Sequence, residues 1–389
     1  MRILQIHPLL KSEVLSPAAG GMAGAALHLT RLLAAAGHEV QVMPIPEGLG
    51  SRELWEVAPG RVVDVAAVMH IPGWREVPWL PGSLARLRPR SAGVKNLLYD
   101  SFALTALRRE LQLFRPEIIH NHLARPPFPR LARALGLRGN LVLTHHHGEA
   151  GEGLDAYDRI VFPSQSARET ISAQAGVPAG RTRCIYSPVG AEFDGPPVEA
   201  GRPRAGVLYV GAVRRRKGID LLLDAYRLDR GLWKDPLTVC GDGEDAGLVR
   251  RAADEGLPVQ WAGHLSRTEV AARLLDSRLA VMPSRLESFG IALLEAACCG
   301  VPVVGWAPTV RELETRVGVP VGAPFDGRSQ SAAELAAAMR SLLQREEAPE
   351  DRPRLAAAAR AAFSAKRYLD EYLALYAELL HPVPPTPGP

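Results

Sequence analysis

The stretch Pro283–Val304, PSRLESFGIALLEAACCGVPVV, constrains the fold of this 389-residue chain more than any other. The apolar run Leu279–Met282 reads as a strand entering it. Pro283, Ser284 and Arg285 follow as a polar loop, and Gly290–Cys299 reads as a helix. Gly300 and Pro302 interrupt that helix, and Val301–Val304 reads as the next strand. Strand, polar loop, helix, strand is the layout that sets a ligand at the carboxyl edge of a parallel sheet. Two glutamates, Glu287 and Glu295, stand eight residues apart within it. Glu287, in the loop, is placed to accept hydrogen bonds from sugar or ribose hydroxyls. Glu295 lies among Leu293, Leu294, Ala296 and Ala297. A carboxylate on so apolar a helix is either a capping or solvated residue or a buried group that needs a partner, and a polyhydroxylated ligand is such a partner.

The same unit recurs at the amino end. Arg2–His7 and Glu39–Pro44 read as strands around a helix over Met22–Ala36 that Gly37 stops. Gly20 and Gly21 at the start of that helix are either a simple turn or a place where backbone approaches a phosphate. Further strands are expected at Glu117–His120, Asn140–Thr144, Asp158–Phe162 and Arg181–Tyr186, with Ser164 capping a helix that runs to Ala175. Asp194–Arg204, rich in Gly, Pro and Ala, reads as a linker. A second series of strands and helices follows it. The chain is therefore expected to be α/β, with two Rossmann-like domains facing across a cleft. One domain spans 1–195 and the other 205–355. Helices over 356–380 are expected to pack back toward the first, and 381–389 to form a disordered tail.

Composition narrows the classes. An apolar content of 47% supports two full cores, and a formal net charge of only +4 argues against a polyanionic partner such as nucleic acid. Cys184, Cys240, Cys298 and Cys299 have neither metal-ligand nor disulfide-framework spacing and fit a reducing cytoplasm. No leader segment and no membrane span are expected.

Three other clusters bear on chemistry. Arg214, Arg215, Arg216 and Lys217 precede a helix, where four cations and the helix N-terminus can neutralise a diphosphate; a solvated or RNA-facing basic run is the alternative. His120 and His122 leave one strand, and His145, His146 and His147 leave another. They lack a Cys or Asp partner at ligand spacing, so no metal is expected, and uncharged histidines there can hydrogen-bond hydroxyls instead. Trp55, Trp74 and Trp79 fall in the stretch 44–96, the hardest to read. There Trp74, Arg75, Glu76 and Trp79 are candidates for acceptor contact, and pinning of a loop to the core is the alternative.

Pro283–Val304 resembles the signature of the retaining glycosyltransferase family 4. That family has the two-domain GT-B fold and uses nucleotide-activated sugars. The resemblance covers nearly the whole chain and is densest over 207–312. It implies that Glu287 contacts the donor sugar and Glu295 the nucleotide ribose. Ser288, Phe289, Gly290 and Ile291 would offer backbone N–H groups to the diphosphate. The stretch AGGMAGAALHLTRLLAAAGHEV matches the family layout in which Gly20 and Gly21 lie near that diphosphate. Thr144-His145-His146 fits a T-x-H pattern that makes His146 the residue beside the donor sugar. Lys217 matches the family lysine, while Ala212 stands where the family has arginine, a place Arg214, Arg215 or Arg216 could fill. Gly243 matches a turn close to the nucleotide, and His264 and Leu265 the loop that borders the base. Ser187–Gly190 departs from the family's Asn-Gly-Val-Asp. After Val304, Glu312 matches but the family's double glycine does not.

The resemblance implies a metal-independent retaining enzyme with no bound cofactor, using a nucleotide-sugar, most simply a UDP-sugar. His146, Lys217 and Glu287 would act at the reacting centre, and Trp74, His120, His122 and Glu149 on the acceptor side. Sequence character around HHHGEAGEGLDAYDRIVFPS resembles the transferases of aminoglycoside biosynthesis. It points to a small soluble acceptor, a 2-deoxystreptamine-type pseudo-disaccharide such as paromamine, with Glu149, Glu152 and Asp155 facing its cationic groups. A cytoplasmic monomer or weak homodimer is expected. A lipid or polysaccharide transferase of the same family, and a non-catalytic subunit that keeps the fold, are the alternatives.

Overall fold

The computed structural model describes residues 1–7, 21–44, 53–58, 61–65, 111–122, 133, 140–146, 149–150, 153–195 and 197–381. The chain divides into two compact units, one of residues 1–162, 170–185 and 369–389, the other of 163–169 and 186–368.

The first unit carries β1 (Arg2–His7), β2 (Glu39–Pro44), β3 (Glu53–Ala58), β4 (Arg61–Val65), β5 (Ile118–Asn121), β6 (Asn140–Thr144), β7 (Arg159–Phe162) and β8 (Thr182–Cys184). Among the described residues they form one sheet in the order β3-β4-β2-β1-β5-β6-β7-β8. Every pairing is parallel except the antiparallel one between β3 and β4. The strand order turns back between β1 and β5, the place where α/β sheets open a crevice beyond their carboxyl ends.

A central parallel strand is covered on both faces and should be apolar throughout. Here β1 and β5 instead bury Gln5, His7 and His120, each wholly inaccessible, and His122 directly after β5 is equally buried. Gln5 lies opposite His120 in the register of the pair. This polar seam runs through an otherwise apolar core of Ile3, Leu4, Ile6, Ile118, Val142 and Phe162.

The second unit carries β9 (Val207–Val210), β10 (Leu237–Cys240), β11 (Val259–Gly263), β12 (Leu279–Met282), β13 (Val303–Trp306) and β14 (Gly322–Phe325). They pair in parallel in the order β11-β10-β9-β12-β13-β14, so the turning point lies between β9 and β12. The architecture is thus two Rossmann-like α/β units, as expected.

Serine caps fix several helix starts. Ser164 Oγ accepts from Ala167 N at 3.0 Å, ahead of the helix Gln165–Ala175. Ser266 forms a reciprocal capping box with Glu269 before the helix Arg267–Asp276. Ser331 caps Ala332–Leu343.

The end of the helix Ile291–Cys298 departs from the sequence reading. Gly300, at φ +68°, donates to Ala297 O, and Val301 N donates to Ala296 O. This is a Schellman stop, and it consumes Val301, so β13 begins at Val303 and runs through Gly305. The stretch GWAPTVRE, which lacks the family's double glycine, ends that strand at Trp306. It opens a helix, Ala307–Val317, with Pro308 in its first turn, where a proline costs nothing. The stretch 194–204, read as a linker, falls within the second unit, and Phe193 just before it, in the short helix Ala191–Asp194, is buried in that unit's core. The thiols of Cys240, Cys298 and Cys299 are buried too, and burial pushes Cys240 up to about 11 and Cys299 up to about 12. The expected tail at 382–389 lies outside the described residues.

Candidate functional site

In the second unit, the loop after β12 and the basic turn after β9 are welded together. Gly218, at φ +77°, caps the helix Ile219–Leu228, and a side chain there would land on the carbonyl oxygen of Pro283. Arg285 N donates to Arg216 O at 3.0 Å. The Arg285 guanidinium forks onto Asp220 at 2.8 and 2.9 Å and also donates to Arg215 O.

This weld brings Lys217 Nζ to 2.6 Å from Glu287 Oε1. Ser284 Oγ donates to the same oxygen at 2.7 Å. Both charged side chains are largely covered, with Lys217 24% and Glu287 14% accessible. Beneath them the Tyr209 hydroxyl donates to Ala212 O at 2.8 Å. Burial, and then the charges of Glu287 and Asp220, hold that phenol neutral by raising its pKa.

The three arginines ahead of Lys217 are not equivalent. Arg214 pairs with Glu244 at 3.7 Å, and Arg215 with Asp220 at 3.4 Å and Asp245 at 3.8 Å. Arg216 is exposed and makes no ion pair among the described residues. Ala212 is exposed as well.

Glycines line the carboxyl ends of the neighbouring strands. Gly241 N donates to Gly263 O at 2.7 Å, and Gly211 N to Cys240 O at 3.0 Å. A Cβ on Gly243 would stand 2.5 Å from Val213 O, so that turn must be glycine. His264 is exposed and Leu265 half-buried directly after β11.

Gly290, at φ +79°, opens the helix that carries Glu295. Ser288 O accepts from Ser164 Oγ at 2.5 Å, and Phe289 packs between Tyr186 and Phe363. Ile291 is half-buried at the first helical position. Glu295 is 4% accessible and meets Arg267 Nη2 at 2.8 Å. Burial raises its pKa, and the Arg267 charge opposes that shift without cancelling it. The sequence signal for Arg267 is a cation at the first position of a serine-capped helix, and it is the amino end of that helix that meets Glu295. Glu312, further along, accepts from Gln165 N at 2.8 Å, Ser166 N at 2.7 Å and the Tyr186 hydroxyl at 3.0 Å. It therefore caps the helix Gln165–Ala175 with its charge.

The first unit assembles His7, His120, His122 and His146. The rings of His120 and His122 stack at 4.2 Å, and those of His122 and His146 at 5.5 Å. His122 Nε2 lies 2.7 Å from Gln5 Oε1, and its Nδ1 lies 3.2 Å from His146 Nε2. His120 meets the Tyr376 hydroxyl through Nδ1 at 2.6 Å and Thr144 Oγ1 through Nε2 at 2.7 Å. Thr144 in turn meets the Tyr372 hydroxyl at 2.8 Å. His7 Nε2 is 3.0 Å from Thr30 Oγ1 on the helix Gly21–Ala35.

Burial holds the rings of His7, His120 and His122 neutral. It lowers His7 to about 3, and lowers His120 and His122 well below the usual histidine range, helped by the neighbouring rings. All four ring nitrogens of His120 and His122 are engaged inside the protein, and neither ring is accessible, so neither is open to an acceptor. His146 is half-buried and Glu149 exposed. Among the described residues no group of three or more His, Cys, Asp or Glu is placed to hold a metal ion. No helix described is long and apolar enough to cross a membrane. Gly21 opens its helix, whereas Gly20, Trp74, Arg75, Glu76, Trp79, His147 and Glu152 lie outside the described residues.

Comparison with known proteins agrees with this architecture. Residues 199–362 match the model of glycosyl transferases group 1, and residues 19–193 that of glycosyltransferase family 4. The chain is 29% identical to a glycogen synthase of Mycobacterium tuberculosis, across 87% of this chain and 86% of that protein. It is 27% identical to a 2-deoxystreptamine N-acetyl-D-glucosaminyltransferase of Streptomyces fradiae, across 79% and 80%. In structure it is similar to an α,α-trehalose-phosphate synthase (UDP-forming) of Burkholderia vietnamiensis. There the TM-score is 0.72 at 14% identity, covering 99% of this chain and 98% of that one.

Proposed function

Because the chain belongs to the GT-B glycosyltransferases of the family 4 and group 1 superfamily, which draw on nucleotide-sugars, we propose that it is a retaining UDP-sugar transferase. Its acceptor is a small soluble polyol, in our reading a 2-deoxystreptamine-type pseudo-disaccharide such as paromamine. The observation that carries the donor half is the Lys217–Glu287 pair at 2.6 Å, set at the start of a helix where β9 and β12 diverge. A cation and a helix N-terminus suit a diphosphate there, and a fixed carboxylate beside them suits sugar hydroxyls.

In this mechanism the bond from the anomeric carbon to the diphosphate oxygen breaks as the bond from the acceptor oxygen forms on the same face. The acceptor proton passes to a phosphate oxygen of the leaving UDP. Lys217 and Arg216 balance the charge that builds on the diphosphate, joined by backbone N–H groups of Ser288, Phe289, Gly290 and Ile291 and by the Gly20–Gly21 turn. Glu287 orients the donor sugar and Glu295 holds the ribose, while Gly243, His264 and Leu265 border the nucleotide. His146 supports the donor sugar. Glu149 and Asp155 offer negative charge to a cationic acceptor, and Trp74 remains its aromatic candidate. The aminocyclitol acceptor is supported by sequence character and by the 27% identity to the Streptomyces fradiae enzyme.

The test is a thermal-shift panel of UDP-, GDP- and ADP-linked sugars, followed by mass spectrometry of transfer to paromamine. We expect stabilisation by a UDP-sugar, and a paromamine product heavier by one glycosyl unit that Glu287→Gln no longer makes. Preference for a GDP- or ADP-sugar overturns the donor reading. Transfer to a lipid or polysaccharide but not to paromamine overturns the acceptor reading.

A further inference from the structure

We infer that Glu192 and Arg267 are positioning residues of the nucleotide site: Glu192 holds the Arg267 guanidinium, which grips Oε1 of Glu295 and leaves Oε2 to receive the ribose hydroxyls. This builds on the reading of Glu295 as the ribose ligand. Its starting point is Gly190, where the chain leaves the family's Asn-Gly-Val-Asp.

Gly190 stands in the place of that pattern's aspartate. Its backbone, at φ −68° and ψ 158°, is one that any residue adopts. Conformation therefore does not call for glycine here, but space does. A Cβ on Gly190 would stand 2.2 Å from Glu192 Oε2, 2.9 Å from Arg267 Nη2 and 3.3 Å from Arg267 Nε. The Glu192 carboxylate thus fills the volume of a side chain at 190, against the same guanidinium that a carboxylate there would meet. The aspartate missing at 190 and the glutamate present at 192 are two halves of one exchange.

Glu192 Oε2 is enclosed and makes no hydrogen bond among the described residues. The cation it faces is Arg267, with Nε at 3.6 Å, and an enclosed carboxylate oxygen needs such a charge. The Phe193 ring, 4.9 Å from the guanidinium carbon, covers another side of the same group. Held in this way, Arg267 Nη2 donates to Glu295 Oε1 at 2.8 Å. Glu295 Oε2 makes no hydrogen bond among the described residues and is not enclosed as Glu192 Oε2 is, so it is the oxygen left for a ligand. Arg267 opens the helix that follows His264 and Leu265, so the grip comes from the segment read as bordering the nucleotide. Glu192 also repels Glu295, but Arg267 acts on that carboxylate more strongly than Glu192 does. A buried acceptor whose torsions are fixed by a second layer binds a hydroxyl without first having to be ordered.

Calorimetric titration with UDP and with its dideoxyribose analogue, which lacks both ribose hydroxyls, isolates the ribose contacts. The unaltered protein should prefer UDP by about thirtyfold, the scale of hydrogen bonds to a charged acceptor. Glu192→Gln, Glu192→Ala and Arg267→Lys should each cut that preference below about fivefold, with affinity for the analogue kept within about twofold. Adding Gly190→Asp to Glu192→Ala should bring the preference back, because it returns a carboxylate to the guanidinium from the other position. An unchanged or increased preference in the Glu192 variants overturns the inference. So does an equal loss of affinity for both nucleotides, which is what a merely structural role produces. If Glu295→Gln keeps the full preference, the ribose reading falls and the inference with it. If Glu295→Gln abolishes the preference while the Glu192 and Arg267 variants retain it, the ribose reading stands and the positioning role alone is overturned.

Discussion

Arg267 reaches the buried carboxylate of Glu295 from the neighbouring helix, Nη2 to Oε1, at 2.8 Å. Its other side lies 3.6 Å from Glu192 and 4.9 Å over the ring of Phe193. Burial still wins: the Glu295 pKa is raised in the folded protein. The folded state therefore holds this proton more tightly than the unfolded chain. The resulting stabilisation is fully present below the unfolded pKa of about 4.3 and is lost as pH rises through the folded value.

Arg267→Met removes the opposing charge. We expect the folded pKa of Glu295 to climb further, so that the pH window of falling stability extends toward neutrality. At pH 7 the variant should lose about 3 kcal/mol, the usual cost of orphaning one half of a buried pair. Urea denaturation between pH 4 and 8, with Glu295→Gln as the control lacking the titration, measures both. A flat pH profile for Arg267→Met would show that Glu295 is solvated after all.

Among the described residues, Arg216 is the arginine of the basic turn that no carboxylate engages, whereas Glu244 holds Arg214 and Asp220 holds Arg215. Arg216→Met should therefore weaken UDP binding about tenfold, close to the worth of one charge-assisted bond. Arg214→Met should change it by less than about threefold, and restoring arginine at Ala212 should rescue Arg216→Met. Calorimetric titration with UDP checks all three. If Arg214→Met proves the costlier change, Arg214 leaves Glu244 for the diphosphate.

Gly218 and Gly37 both have positive φ, +77° and +86°. A Cβ at Gly37 meets nothing within 4 Å, while one at Gly218 strikes the Pro283 backbone. Gly37→Ala should cost roughly 1 kcal/mol, the left-handed penalty alone. Gly218→Ala should cost roughly 3 kcal/mol and also weaken UDP binding, because it parts the basic turn from the loop of Glu287. Equal losses at the two positions would mean that the weld yields without consequence.

Local chemistry was legible in the sequence, and distant pairing was not. The strand Leu279–Met282, the helix that carries Glu295 and the serine caps at 164, 266 and 331 follow from patterns only a few residues long. The helix Ala307–Val317 had a local signal too, a proline in the first helical turn, which marks a beginning. The histidines drew attention as two strand ends, but their partners Gln5 and Tyr376 lie 117 residues before His122 and 256 residues after His120. Nothing in a single sequence links such positions. Arg267 with Glu295, and Glu312 with Gln165, belong to the same class, separated by 28 and 147 residues.

The three thiols of Cys240, Cys298 and Cys299 are shielded and pushed away from ionisation, whereas Cys184 is half-exposed. A thiol reagent mixed with the native protein should thus read a fast single labelling at Cys184, then three slow ones. Those three lie in the unit of 186–368 and Cys184 in the other. The chain carries its own spectroscopic clock for the opening of the second unit's core, one that a ligand seated in that unit would slow without any engineered label.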